Sequence, residues 1–184
     1  MSDDELIVLA KQGDRRALND LIERYLAVVE RFAYQIGVSA NDVEDVTQDV
    51  FIRVYRFLEQ YTGKTFSTWL YKITLNAARD HFKKQKRDQH KQMKLFRQPR
   101  EDSVITDDDL LRNEEAVYLH QLIQRLDEKY RFPIILFYFH DKKLEEIADI
   151  MDLPLSTVKT RLARGRSRLK KQLEEKGGDG IAAR

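Results

Sequence analysis

Apolar residues recur at steps of three and four along an uninterrupted stretch near the start of the chain. A helix has about 3.6 residues per turn, so this spacing lines one face of an amphipathic helix. Only seven Gly and three Pro interrupt the 184 residues, and we therefore predict an all-α protein. The helix between Arg15 and Ile36 presents Leu18, Leu21, Ile22, Tyr25, Val28, Val29, Phe32 and Ile36 on its apolar face.

Start and stop signals predict three further helices in this part of the chain. Ser2 and Glu5 have the spacing of a capping box, beginning a helix that ends near Gly13. The stretch "SAND" repeats the Ser-x-x-acid pattern and begins a helix predicted over residues 41–60. Another helix is predicted over residues 67–86.

Apolar periodicity is lost over residues 87–113, which divides the chain into two domains. We predict helical domains at 1–86 and 114–176, a flexible linker between them whose first residues could be helical, and a disordered tail at 177–184. The apolar run 134–139 has the composition of a strand. We interpret it as a buried helix because helices flank it and no partner strand is evident.

Composition argues against several classes of protein. The chain has no Cys, which excludes disulfides and thiolate metal sites. No apolar run reaches the roughly 20 residues of a membrane helix, and the polar start lacks a signal peptide, so we expect a cytoplasmic protein. The four His residues are scattered and no Gly-rich phosphate loop is present. We expect no catalytic residues, no cofactor and no metal site.

The segment 144–173 has the pattern of a helix-turn-helix, in which a short helix, a turn at 152–154 and a second helix follow one another. We predict that Ser156 caps the second helix. Asp152 occupies a turn position that usually needs a left-handed backbone, which Asp adopts less readily than Gly. The second helix of this motif enters the major groove of DNA.

The second helix of the motif is strongly basic, with seven Lys or Arg and no acid between residues 156 and 172. The charge alone would also suit a solvated helix in an ordinary bundle, but the preceding helix and turn favour DNA binding. Residues near its start would contact base edges or nearby phosphates, and arginines further along would mainly contact phosphates. The first group is Ser156, Thr157, Lys159, Thr160 and Arg161; the second is Arg164, Arg166 and Arg168.

A stripe of acidic and polar residues lies in "DVEDVTQDVF" and just beyond it. Members at steps of three and four share one side of a helix. An acidic stripe suits a basic protein partner, and the alternative is an ordinary solvent-exposed face. A carboxylate metal site is disfavoured because no His lies at ligand spacing. The candidate residues are Asp42, Glu44, Asp45, Gln48, Asp49 and Ile52.

Taken together, "DVEDVTQDVFIRVYRF", "TFSTWLYKITLNAARDHFKKQKR" and "LDEKYRFPIILFYFHDKKLEEIADIMDLPLSTVKTRLARGRSRLKKQL" resemble a bacterial sigma factor of the extracytoplasmic-function group, in the sigma-70 family. The resemblance covers roughly residues 14–173. It implies two helical domains, called regions two and four. It also implies binding to core RNA polymerase, at the clamp helices of the largest subunit and at the flap, and promoter-specific initiation. A separate anti-sigma protein, often membrane-bound, usually inhibits members of this family.

The resemblance implies that the loop at 61–66 and the helix after it capture the minus-ten strand of the promoter, and that the basic helix reads the minus-thirty-five element. Aromatic groups on a positive surface can hold single-stranded DNA by stacking. For Trp69 and Tyr71, core packing and DNA contact both stay open. The minus-ten candidates are Tyr61, Lys64, Phe66, Trp69, Lys72, Asn76, Arg79, Lys83 and Lys84.

A dimeric helix-turn-helix regulator that acts without polymerase is the competing hypothesis. It would leave the acidic stripe and the Trp-bearing helix without a function. Binding to an isolated palindromic duplex would favour it.

Overall fold

A computed structural model of the protein describes residues 1–63, 65–93 and 114–179. Regular structure in these residues is helical, which confirms the all-α prediction. The helices fall into two compact units. The first unit contains α1 (Asp3–Lys11), α2 (Arg15–Gln35), α3 (Ala40–Phe57), a 3-10 turn (Leu58–Gln60) and α4 (Phe66–Met93). The second contains α5 (Glu114–Gln124), α6 (Glu128–Tyr138), α7 (Leu144–Met151) and α8 (Leu155–Asp179). Within the described ranges, no helix has both the length and the apolar composition to cross a bilayer.

The two Ser-x-x-acid patterns behave differently. The capping box at α1 forms, because the Glu5 amide donates to Ser2 Oγ and the Ser2 amide donates to the Glu5 carboxylate. At α3, Ser39 occupies the cap position but makes no capping hydrogen bond. Its hydroxyl donates instead to Asp42 Oδ2 at 2.5 Å. The second pattern therefore marks the start of a helix without forming the predicted kind of cap.

The core of the first unit forms where α2 packs against both α3 and α4. Phe32 and Leu75 are completely buried at its centre. The Tyr71 ring meets Phe32 edge to face, with 4.9 Å between ring centroids, and only 7% of Tyr71 is exposed. Of the two roles left open for Tyr71, the structure supports core packing.

Two helices continue past the ends that the sequence predicted. Helix α4 runs to Met93 and α8 runs to Asp179, whereas the predicted linker began at 87 and the predicted tail at 177. Residues 87–93 contain neither Gly nor Pro, so nothing in them stops a helix. Residues 94–113 and 180–184, the remainder of the predicted linker and tail, lie outside the described residues.

Helix α6 forms the centre of the second unit. Phe132, Ile134, Ile135 and Leu136 are each at most 1% exposed, and the helix continues through Pro133. The interpretation of this apolar run as a helix is confirmed as far as Tyr138. Its predicted burial holds for residues 134–136, whereas Tyr138 is 49% exposed and Phe139 is 44% exposed. Its neighbours α7 and α8 pack against it.

The turn between α7 and α8 forms with Asp152 in the left-handed conformation, at φ 54° and ψ 49°. Helix α8 starts two residues earlier than predicted, at Leu155, because the amides of Thr157 and Val158 both donate to the Pro154 carbonyl. Ser156 therefore lies inside the first turn of α8. The prediction that it caps this helix was wrong.

Gly165 allows α8 to approach α6 closely. A β-carbon at this position would lie 2.7 Å from Ile134 Cδ1 and 3.3 Å from Ile134 Cγ1. Ile134 is only 1% exposed, so its side chain has little space into which it could move.

We predict that Gly165→Val destabilises the second unit by about 1–3 kcal/mol, the usual cost of overpacking a core. Intrinsic helix propensity favours Val over Gly, so a loss of stability must come from the contact with α6. Ala163→Val, at an exposed position of the same helix, is the control. Calorimetry of the full chain measures both variants, and equal unfolding temperatures would contradict the close packing at Gly165.

Candidate functional site

The α3 stripe, defined as Asp45, Gln48, Asp49 and Ile52, lies at the surface of the first unit. Asp45 and Gln48 are exposed, and Ile52 is 54% exposed. Tyr55, three residues beyond Ile52, is 71% exposed and extends the same side of the helix. Sequence reasoning missed Tyr55, although the three-residue step would have indicated it. The stripe thus joins exposed acids to two exposed apolar side chains, and Glu44 lies exposed beside it.

Asp42 contacts other residues of the first unit, although the sequence placed it with the stripe. Its Oδ2 accepts hydrogen bonds from Ser39 and from Gln85 Nε2, the latter at 2.9 Å. His81 Nε2 lies 3.4 Å from the same oxygen. Since Gln85 and His81 both belong to α4, Asp42 connects the start of α3 to α4.

Asp49 is also engaged within the unit. Arg53 lies 2.8 Å from Asp49 on its own helix and 3.1 Å from Asp80 on α4. Burial lowers the pKa of Arg53, but the hydrogen bonds to Asp49 and Asp80 outweigh it, and the pKa is raised overall. Of the predicted acids, Asp45 and Glu44 are therefore the more accessible to a partner.

The loop between α3 and α4 is anchored by aromatic residues at both ends. Tyr61 is 8% exposed and Phe66 is 3% exposed, so both belong to the packed interior, although the sequence grouped them with DNA contacts. Their rings meet edge to face at 5.8 Å. Burial and the negative charges of Asp4 and Asp3 raise the pKa of Tyr61. Thr62, Gly63 and Thr65 are exposed, and Lys64 lies outside the described residues.

The α4 face, defined as Trp69, Lys72, Asn76, Arg79 and Lys83, is a continuous polar and basic surface. Its members alternate steps of three and four, which places them on one side of the helix. Asn76 and Lys83 are exposed, and Trp69, Lys72 and Arg79 are half-buried. The Trp69 ring lies 5.0 Å from the Tyr61 ring, so this face begins next to the loop. Lys84 is exposed to one side of it.

Helix α8 presents a narrow ridge of small side chains to the solvent. The α8 ridge, defined as Ser156, Thr160, Ala163 and Ser167, follows steps of four, three and four and is exposed throughout. The Thr160 hydroxyl donates to the Ser156 carbonyl at 3.0 Å, and the Ser167 hydroxyl donates to the Ala163 carbonyl at 3.2 Å. The helix backbone can therefore come close to a partner along this line.

Basic side chains border the α8 ridge on both sides. The spacing of 3.6 residues per turn puts Thr157, Arg161, Arg164 and Arg168 on one side and Lys159, Arg166 and Lys170 on the other. Thr157 and Arg161 are half-buried, and the other bordering residues are exposed. Ser167 had not been identified from the sequence.

Arg168 differs from the other arginines because it contacts the start of α6. Its guanidinium lies over the Tyr130 ring, 4.6 Å from the centroid, and 4.0 Å from an oxygen of Asp127. An open cleft of about 460 Å³ is lined by Tyr130, Ala163, Arg164, Ser167 and Arg168. These contacts hold Arg168 at the edge of the basic surface.

Comparisons with known proteins agree with this geometry. The family model for Sigma-70 region 2 matches residues 21–88, and that for Sigma-70 region 4 matches residues 116–169. The first match contains the α3 stripe and the α4 face, and the second contains α7, the turn and α8 as far as residue 169. The chain belongs to the sigma-70 family of RNA polymerase sigma factors, in its extracytoplasmic-function group.

Relatives and solved structures extend over nearly the whole chain. The ECF RNA polymerase sigma factor SigW of Bacillus subtilis is 33% identical over 174 residues, covering 90% of this chain and 93% of the relative. The ECF RNA polymerase sigma-E factor of Escherichia coli is 30% identical, with 95% of each chain covered. The structure of CnrH in complex with the cytosolic domain of CnrY matches with a TM-score of 0.72 at 25% identity, covering 94% of this chain and 97% of that one.

We predict that Asp42→Ala destabilises the first unit by about 1–3 kcal/mol, because it leaves polar groups of α4 without their carboxylate partner. Asp45→Ala, which removes an exposed acid three residues away, should change stability by at most about 0.5 kcal/mol. Trp69 is the single tryptophan of the chain, so its fluorescence during urea unfolding follows the first unit. Equal losses in both variants would contradict the bridging role of Asp42.

Proposed function

We propose that this sigma factor binds core RNA polymerase and directs it to specific promoters. In this proposal the α3 stripe and Tyr55 contact the polymerase, at the clamp helices of its largest subunit. The loop at 61–66 and the α4 face, with Lys84, capture the minus-ten element, and the start of α8 reads the minus-thirty-five element. The second unit would also contact the polymerase flap. We further propose that the protein acts in the cytoplasm by binding alone, without catalysis of its own.

The α3 stripe is the observation that most strongly supports polymerase binding. Acidic side chains repel the phosphates of DNA, so a regulator that only bound DNA would have no use for Asp45 and Glu44 at this surface. Ile52 and Tyr55 beside them offer apolar area that a protein partner can bury. A mixed acidic and apolar surface fits a basic protein.

Two separate DNA contacts suit a factor that works on a large enzyme. Phosphate contacts from the α4 face and from the borders of the α8 ridge give affinity without sequence selection. When both units are attached to one polymerase, the second contact becomes intramolecular and its effective concentration rises. Two modest contacts can then select a promoter together.

We also propose that a separate anti-sigma protein inhibits this factor by covering its polymerase-binding surface. CnrH, which shares this fold over nearly its whole length, was solved with the cytosolic domain of a second protein, CnrY. The exposed Ile52 and Tyr55 side chains give such a protein apolar contacts. Copurification that recovered only the free factor and polymerase under every growth condition would contradict this proposal.

Transcription by purified core RNA polymerase, with and without the protein, from a pool of genomic promoter fragments tests the main proposal. We expect start sites that appear only with the protein and share two upstream elements. If none appeared while the protein alone bound a palindromic duplex, it would be a stand-alone helix-turn-helix regulator.

Reversing one charge on the α3 stripe tests the polymerase surface. We predict that Asp45→Arg weakens binding of core polymerase at least about tenfold, since like charges across an interface are unfavourable. Glu23→Arg, which reverses an exposed acid on α2, is the control for total charge. Binding titrations with labelled core polymerase compare the two variants, and unchanged affinity for Asp45→Arg would refute the assignment.

Two substitutions on α8 separate base reading from phosphate contact. We predict that Thr160→Val, on the ridge, changes the preference among minus-thirty-five sequences by about 1 kcal/mol. Arg164→Ala, at the border, should weaken binding equally on all sequences. It should also reduce the slope of log affinity against log salt concentration by about 1, the value for one lost phosphate contact. Holoenzyme binding to a set of minus-thirty-five variants at several salt concentrations measures both effects. A uniform loss for Thr160→Val would show that the ridge reads no base.

A further inference from the structure

A lysine from α1 contacts the residue at which the α3–α4 loop begins. Lys11 Nζ donates a hydrogen bond to the Tyr61 carbonyl at 2.6 Å. The same ammonium lies 5.6 Å from the centre of the Tyr61 ring, within the range of a cation–π interaction. Fifty positions of sequence separate the two residues, so the contact ties the loop to a distant helix.

The tip of the loop is shaped by the same tyrosine. A β-carbon on Gly63 would lie 2.8 Å from Tyr61 Cε2, so the backbone at Gly63 passes close to one edge of the ring. The ring itself packs against Phe66 and Trp69, which restricts its movement. Any displacement of Tyr61 would therefore shift the exposed residues of the loop.

Helices α1 and α2 hold the far end of the loop as well. Tyr25 on α2 meets the Phe66 ring at 5.4 Å. The Tyr25 hydroxyl donates to Asp3 on α1, and Arg24 pairs with the same carboxylate at 2.5 Å. Both ends of the loop are thus connected to one pair of packed helices.

From these contacts we propose that Lys11 is a positioning residue for promoter reading. By holding Tyr61, it keeps the loop in the shape that accepts a minus-ten base, although it touches no DNA itself. The match to Sigma-70 region 2 begins only at residue 21, so α1 lies outside the part of the chain that the family match covers. The inference rests on the proposed role of the loop in minus-ten capture.

The physical basis is preorganisation. A loop that is already held in its binding shape loses less conformational freedom when it captures a base. A loop released at Tyr61 could adopt other shapes, some of which would accept the wrong base. The selectivity among minus-ten bases should then fall, whereas the binding that the other surfaces provide should change less.

Competition between promoters in one reaction tests this role. Holoenzyme is assembled from core polymerase and the full chain, and it transcribes a mixture of templates that differ by one base in the minus-ten element. The ratio of transcripts is independent of the fraction of active protein, so a general loss of folding does not change it. We expect Lys11→Met to lower the ratio of preferred to disfavoured template by about five- to tenfold, since only part of the cost of losing a charged hydrogen bond affects the choice between bases.

Three further variants complete the test. Lys11→Arg keeps a cationic donor and should retain most of the selectivity. Arg15→Met removes an exposed cation at the start of α2 and should leave the ratio unchanged, which controls for charge. Gly63→Ala changes the loop itself and should lower the ratio whatever the role of Lys11, so it shows that the assay detects a change in loop shape. Selectivity among minus-thirty-five variants should stay unchanged in all of them.

If the wild-type factor showed minus-ten selectivity and Lys11→Met kept the same ratio, the positioning role of Lys11 would be overturned. The proposed function of the loop would stand. Equal loss of transcription on every template, with a constant ratio, would show that Lys11 only stabilises the fold and would also overturn it. If the wild-type factor itself showed no minus-ten preference, the proposed function of the loop would fail, and the inference with it.

Discussion

Burial of one face of each helix fixes the rotation of that helix about its axis, and this rotation decides which side chains reach the solvent. In α3, burial of Val46, Val50 and Val54 leaves the stripe around Gln48 on the opposite side. In α8, burial of Val158 and Leu162 turns the ridge of small residues outward. The binding surfaces are therefore a consequence of core packing. A change in the core that rotated a helix by one residue would remove a surface without altering any residue in it.

Helical periodicity explains why most of the fold could be predicted from the sequence. The helices of the first unit, the turn at Asp152 and the helical state of α6 follow from spacing, local stop signals and the neighbouring helices. What could not be predicted depends on contacts between residues that are distant in sequence. The engagement of Asp42 by Gln85, and the contact of Arg168 with Tyr130, exist only after the helices have packed.

Contacts between residues distant in sequence also explain why the residues of the candidate site were only partly predicted. Composition indicates that a loop rich in aromatic residues beside a basic helix suits single-stranded DNA. It does not separate aromatic residues that would stack on bases from those that hold the loop. Tyr61 and Phe66 are buried, whereas Trp69 is only partly covered, and this division depends on the positions of α1 and α2. Tyr55 was missed because the stripe was traced only as far as Ile52, although the same spacing continues to Tyr55, which is 71% exposed.

Helix α7 is joined to its neighbours by two residues with left-handed backbones. Asp141, before it, has a φ of 49°, and Asp152, after it, has a φ of 54°. Glycine adopts this conformation without the steric cost that a side chain brings, so neither connection contributes as much stability as it could. With only eight residues, α7 relies on the burial of Ile147, Ile150 and Met151. Local opening of α7 would expose these three apolar side chains and remove the support that this helix gives to α8.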